Sequence, residues 1–177
     1  FETRKTELMS ALIAGDPLLP NTQVGPLARA DLRAELHEQV QASLDAGARL
    51  LLGGKSIPGP GYFYEPTIIS DVRAGMSLYR EETFGPVSTI IPVKDTDEAI
   101  GVANDSEFGL GASLWTNDLT RGEHLARQIE SGAVFINGMT VSDPRLLFGG
   151  IKRSGYGREL SHFGIREFTN IKSIWIA

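Results

Sequence analysis

Residues 87–137 read VSTIIPVKDTDEAIGVANDSEFGLGASLWTNDLTRGEHLARQIESGAVFIN, and this stretch decides the fold. Val87–Val93 is a β-branched, apolar run that predicts a strand. Asp95–Asn104 follows as a predicted helix with acids in its first turn, where carboxylates offset the positive end of the helix dipole. Gly111–Thr116 predicts a strand, Leu119–Ser131 a helix and Ala133–Asn137 another strand. Strands alternating with helices long enough to cross a sheet predict an α/β fold: a layered, mainly parallel sheet flanked by helices. Ligands of such a sheet gather at the carboxyl ends of its strands.

On the N-terminal side, Leu8, Leu12 and Ile13 predict a helix over Phe1–Ala14. Leu32, Leu36, Val40 and Leu44 recur every four residues, which predicts a helix over Ala30–Ala46 with Gly47 as its stop. Arg49–Leu52 reads as a short buried strand, Gly53–Gly61 as a surface loop and Tyr62–Ile69 as an extended segment. On the C-terminal side, Gly138–Arg158 is Gly-rich without periodicity, the kind of long loop that carries function. A short helix is expected near His162–Phe168. The apolar run Ile171–Ile176 reads as a strand with no following partner, expected to pair with another subunit. The expected organisation is thus one domain over 1–168 and an oligomerisation strand over 169–177.

The 177 residues match one ordinary domain, and 41% hydrophobic with 22% charged residues excludes a disordered tail or a coiled coil. The net charge of −5, from 17 basic and 22 acidic residues, is spread along the chain without blocks. That argues against nucleic acid or an anionic membrane and for a small-molecule or protein partner. With no cysteine, these residues hold no disulfide, thiolate metal site or cysteine nucleophile. No apolar run reaches a membrane span and Phe1–Gly15 is unlike a signal peptide, so the expected location is cytoplasmic. A start at Phe1, inside a predicted helix, reads as a fragment of a longer protein.

Several motifs fail. Gly54-Lys55-Ser56 lacks the leading glycine of a phosphate-binding loop, because position 49 is Arg. Gly109 with Gly111 and Gly155 with Gly157 each lack a third glycine, Leu114 and Leu160 standing there, so neither is a dinucleotide fingerprint. His37, His124 and His162 have no second ligand at metal spacing and read as surface or cap residues. In Arg80-Glu81-Glu82-Thr83-Phe84-Gly85-Pro86 an extended chain puts Glu82 and Phe84 on one face. By spacing alone, a solvated acidic pair before a core Phe is the simpler reading.

Glu81–Val87, Asn104–Leu110, Phe135–Gly138 and Phe148–Glu159, in that order, resemble the C-terminal part of an aldehyde dehydrogenase catalytic domain. Gly25-Pro26-Leu27-Ala28-Arg29 and Arg158–Gly164 resemble bacterial succinate-semialdehyde dehydrogenases in particular. The resemblance implies oxidation of an aldehyde to an acid by thiolate attack, hydride transfer to NAD or NADP, and thioester hydrolysis. It implies that Glu82 holds the nicotinamide ribose hydroxyls, as a carboxylate does by accepting two hydrogen bonds, and that Phe84 steadies the ring. It implies that Phe148 lines the aldehyde channel, that Ser142 reaches the acid end of a semialdehyde, and that Glu159 relays protons, a pairing with Arg158 or a helix-start role being the alternatives for Glu159. Lys152 and Arg153 would add attraction for a dianionic product, or be simply solvated.

The same resemblance places the nucleophilic cysteine, the general-base glutamate and the cofactor phosphate site upstream of Phe1, so the chain alone is expected to be inactive. Two other readings stay open at this point. One is a dehydrogenase for another small or acidic aldehyde, and the other a non-catalytic α/β module that assembles through Ile171–Ile176.

Overall fold

The computed structural model describes all 177 residues. They divide into two compact units, Phe1–Pro92 and Val93–Ala177.

The first unit opens with α1 (Glu2–Ser10) and α2 (Ala30–Asp45), followed by β1 (Arg49–Leu52), β2 (Thr67–Ser70), α3 (Ser77–Arg80) and β3 (Val87–Thr89). The first helix is shorter than Phe1–Ala14, because Ile13 and Ala14 turn back to pair with Gln23 and Val24 instead of continuing the spiral. The stripe predicted on α2 does face inward, with Leu36 and Val40 buried, and Gly47 (φ 100°) ends that helix region. The three strands form one sheet in the order β1-β2-β3, antiparallel at β1–β2 and parallel at β2–β3, with Thr67 opposite Val87 and Ile69 opposite Thr89. Arg49–Leu52 is a strand as expected but not a buried one: it is the sheet edge, bulged between Leu50 and Leu52, and only the central β2 is buried throughout. Val40, Ile69, Val72, Met76 and Leu78 form the core, each fully buried aliphatic contributing roughly 1.5–3 kcal/mol. The buried Ser43 hydroxyl accepts the Leu78 amide at 3.0 Å, which locks α2 to the first turn of α3.

The second unit runs α4 (Thr96–Asn104), β4 (Phe108–Gly109), β5 (Gly111–Leu114), α5 (Leu119–Ala126), β6 (Ala133–Ile136), β7 (Ile151–Lys152) and α6 (Ser161–Glu167). Asp95 and Asp118 cap α4 and α5 by accepting the amides of Glu98 and Arg121, and α4 carries the expected acids, Asp97 and Glu98, in its first turn. The fifth helix ends at Ala126 rather than Ser131. Asn104 takes over beyond it, donating to the Gln128 carbonyl and accepting from the Glu130 amide, both at 2.8 Å. The parallel pair β5–β6 aligns Gly111 with Ala133 and Leu114 with Ile136, and β4–β7 is antiparallel. The α/β class is therefore present, its parallel pairing carried by β2–β3 and β5–β6. Ile171–Ile176 has no strand partner within the chain, and Ile171, Ile174, Trp175 and Ile176 are exposed.

Candidate functional site

Glu82 and Phe84 lie in the first unit, on the extended strip between α3 and β3. Phe84 is 66% exposed, so it is not the ordinary core Phe that spacing alone suggested. The two neighbouring acids also differ. Glu81 Oε2 accepts a hydrogen bond from Gln39 Nε2 at 3.1 Å, whereas Glu82 is engaged only through its backbone carbonyl, by the same Nε2 at 3.2 Å. Its carboxylate is left open to solvent beside the open aromatic face. An acceptor-only group next to an exposed ring is the chemistry that sugar hydroxyls and a planar heterocycle require, so these residues fit the nicotinamide riboside end of the implied cofactor.

The strip is held in shape by α2. Gly85 has φ 155°, which L side chains rarely adopt, and a Cβ there would stand 2.5 Å from Leu36 Cδ2, so the strip packs directly on the Leu36 side chain of α2. Gln39 itself escaped the reading of the sequence. The available signal was its place on the inward face of α2, between Leu36 and Val40.

The other expected site residues belong to the second unit. Phe148 and Glu159 are paired directly, each amide donating to the other's carbonyl, at 2.9 and 2.8 Å. Both line a cleft of about 430 Å³, with Gly149, Gly150 and Tyr156. The cleft wall is backbone packed on backbone: a Cβ on Gly132 would stand 1.6 Å from the Gly149 carbonyl oxygen, and one on Gly150 2.9 Å from the Ser154 carbonyl oxygen. Arg158 does not pair with Glu159. Its Nη1 donates to the carbonyls of Gly150 at 2.8 Å and Gly157 at 2.6 Å, bracing the loop and leaving the Glu159 carboxylate without that partner. Nor does Glu159 stand in the first turn of α6, which begins at Ser161.

Ser142 is exposed, outside the residues lining that cleft, and directly precedes a turn held by Asp143 and Arg145. The Arg145 guanidinium and amide both donate to the Asp143 carboxyl and hold its pKa down at about 2. Lys152 and Arg153 are exposed, as solvated bases are, but each already has an acidic partner: Lys152 meets Glu130 at 2.7 Å and the Asn104 carbonyl at 2.8 Å, and Arg153 pairs with Glu107 at the surface. His37 is half-buried, and its Nδ1 shares a 3.0 Å hydrogen bond with the buried Tyr64 hydroxyl.

A family model described as the aldehyde dehydrogenase family matches residues 1–174. The NADP(+) succinate-semialdehyde dehydrogenase 1 of Mycobacterium ulcerans is 53% identical over 176 residues, which are 99% of this chain and 38% of that protein. The NAD(P)+ succinate semialdehyde dehydrogenase of Escherichia coli K12 is 50% identical over 175 residues, again 99% of this chain and 38% of that one. The crystal structure of succinic semialdehyde dehydrogenase from Streptococcus pyogenes in complex with NADP+ superimposes with a TM-score of 0.95 at 42% identity, covering 99% of this chain and 39% of its own. The chain thus spans little more than a third of the length of the curated relatives it matches.

Proposed function

The chain belongs to the aldehyde dehydrogenase family, and we propose that it is part of an NAD(P)-dependent enzyme that oxidises succinate semialdehyde to succinate. The observation that carries the reading is the strip at Glu82–Phe84, a carboxylate open to solvent two residues from an open ring. The substrate follows from what the relatives in Mycobacterium ulcerans and Escherichia coli are named for, at half or more identity over nearly the whole chain.

In this reading Glu82 accepts the ribose hydroxyls and Phe84 steadies the nicotinamide, which when bound takes up the hydride leaving the aldehyde carbon. Phe148 walls the aldehyde channel and keeps water from it during that transfer. Ser142 hydrogen-bonds the acid end of the semialdehyde. Glu159 relays protons for thioester hydrolysis. The thiolate nucleophile and the general base are supplied by sequence other than these 177 residues, so this segment alone does not turn over substrate. Residues 1–168 are a portion of the catalytic domain, and 169–177 form a strand between subunits of a cytoplasmic homo-oligomer.

The test is hydride transfer in the intact protein that carries this segment, assayed with succinate semialdehyde and either NAD+ or NADP+. Glu82→Ala is expected to slow the transfer about tenfold to a hundredfold by loosening the ring's position. An unchanged rate would overturn the assignment of the strip.

A further inference from the structure

Gln39 is 6% exposed on the inward face of α2, where an aliphatic side chain would bury more cheaply. The amide nitrogen explains its presence. Nε2 has two N–H groups, and two acceptors stand within reach: the Glu81 carboxylate at 3.1 Å and the Glu82 carbonyl at 3.2 Å. Both partners are acceptors, so the amide is oriented by them without ambiguity. One turn earlier on the same helix face, Leu36 meets Gly85 at the other end of the strip. The turn 36–39 of α2 therefore grips residues 82–85 at both ends, and the two side chains left outward between the grips are those of Glu82 and Phe84. Gln39 also decides which acid is tied down and which is free.

Resting on the assignment of this strip to the nicotinamide riboside, we propose that Gln39 is a positioning residue: through the Glu81 carboxylate and the Glu82 carbonyl it sets the Glu82 carboxylate and the Phe84 ring for the cofactor, touching neither cofactor nor substrate.

The experiment uses the intact enzyme with Gln39→Met, which keeps length and volume but has no donor. Expected are faster amide hydrogen exchange over Glu81–Gly85 in the cofactor-free protein, NADP+ bound about threefold to tenfold more weakly by titration calorimetry, and hydride transfer about tenfold slower at saturating substrates. The thermal midpoint should stay near that of the parent. Gln39→His, which restores a ring N–H of similar reach, should recover most of the loss. If Gln39→Met does not fold, Gln39→Leu, which likewise has no donor, must show the same losses. Parental exchange, affinity and rate in the folded variant, alongside a slow Glu82→Ala, would overturn the role of Gln39 and leave the strip assignment standing. A Glu82→Ala enzyme with full rate would overturn both.

Discussion

Phe148 and Glu159 face each other across an isolated antiparallel bridge, their amides exchanging hydrogen bonds of 2.9 and 2.8 Å. Directly opposed residues of such a pair project to one side, which puts the proposed channel wall and the proposed proton relay in the same cleft. Glu159→Gln keeps the shape and removes the proton exchange. In the intact enzyme it should leave the first burst of reduced nucleotide intact and slow steady turnover about tenfold, because only thioester hydrolysis needs the relay. Rapid-mixing absorbance at the nicotinamide band measures both phases, and an equal loss in the two would remove Glu159 from hydrolysis.

The same cleft depends on Gly132, whose absent Cβ leaves room for the Gly149 carbonyl 1.6 Å from where that atom would sit. Neither side is a flexible side-chain end, so the backbone must move. Gly132→Ala is expected to destabilise by about 2–4 kcal/mol, read as a lowered denaturation midpoint of the intact protein. Gly138→Ala, with nothing near its Cβ and no left-handed φ, is the matched control and should change little.

Features coded by local chemistry were readable from the sequence, and features coded by partners were not. The start of α4 was legible because Asp95 both precedes and caps it, and the inward face of α2 because Leu36 and Val40 repeat every four residues. The end of α5 was not, since Asn104, more than twenty residues upstream, takes the groups that would have continued it. Four residues rich in leucine looked buried at Arg49–Leu52, but burial depends on a second neighbour that the edge strand lacks. At the site, only resemblance singled out Glu82 from Glu81. The physical difference between them is Gln39, on an element more than forty residues away, which no local pattern encodes.

The turn that follows Ser142 has its own pH signature. Asp143 titrates at about 2 instead of 3.8 because Arg145 donates to it from side chain and backbone. A depressed carboxyl stabilises the turn at pH above its ordinary value, and that contribution disappears as pH falls from about 4 through 2. Carboxyl carbon NMR of the intact protein should place the Asp143 midpoint near 2 and return it toward 3.8 in Arg145→Met. A midpoint already near 3.8 in the parent would mean the pair does not form in solution.

At the opposite end of the pH scale, Tyr64 is 1% exposed and shares its hydroxyl with His37 Nδ1 at 3.0 Å. Burial first, and the charge of Glu65 second, push its phenol up from 10.0 to about 12. The folded chain therefore holds the Tyr64 proton more tightly than the unfolded chain does. Stability from this group is complete below pH 10 and falls as pH rises from 10 toward 12. Tyr64→Phe should lower stability at pH 7 by about 1 kcal/mol through the lost hydrogen bond, and should flatten the decline above pH 10. Denaturant unfolding of the intact protein and of the variant at pH 7, 10 and 11 separates the two effects. A parent curve no steeper than that of Tyr64→Phe above pH 10 would show that the phenol is already free to ionise in the fold.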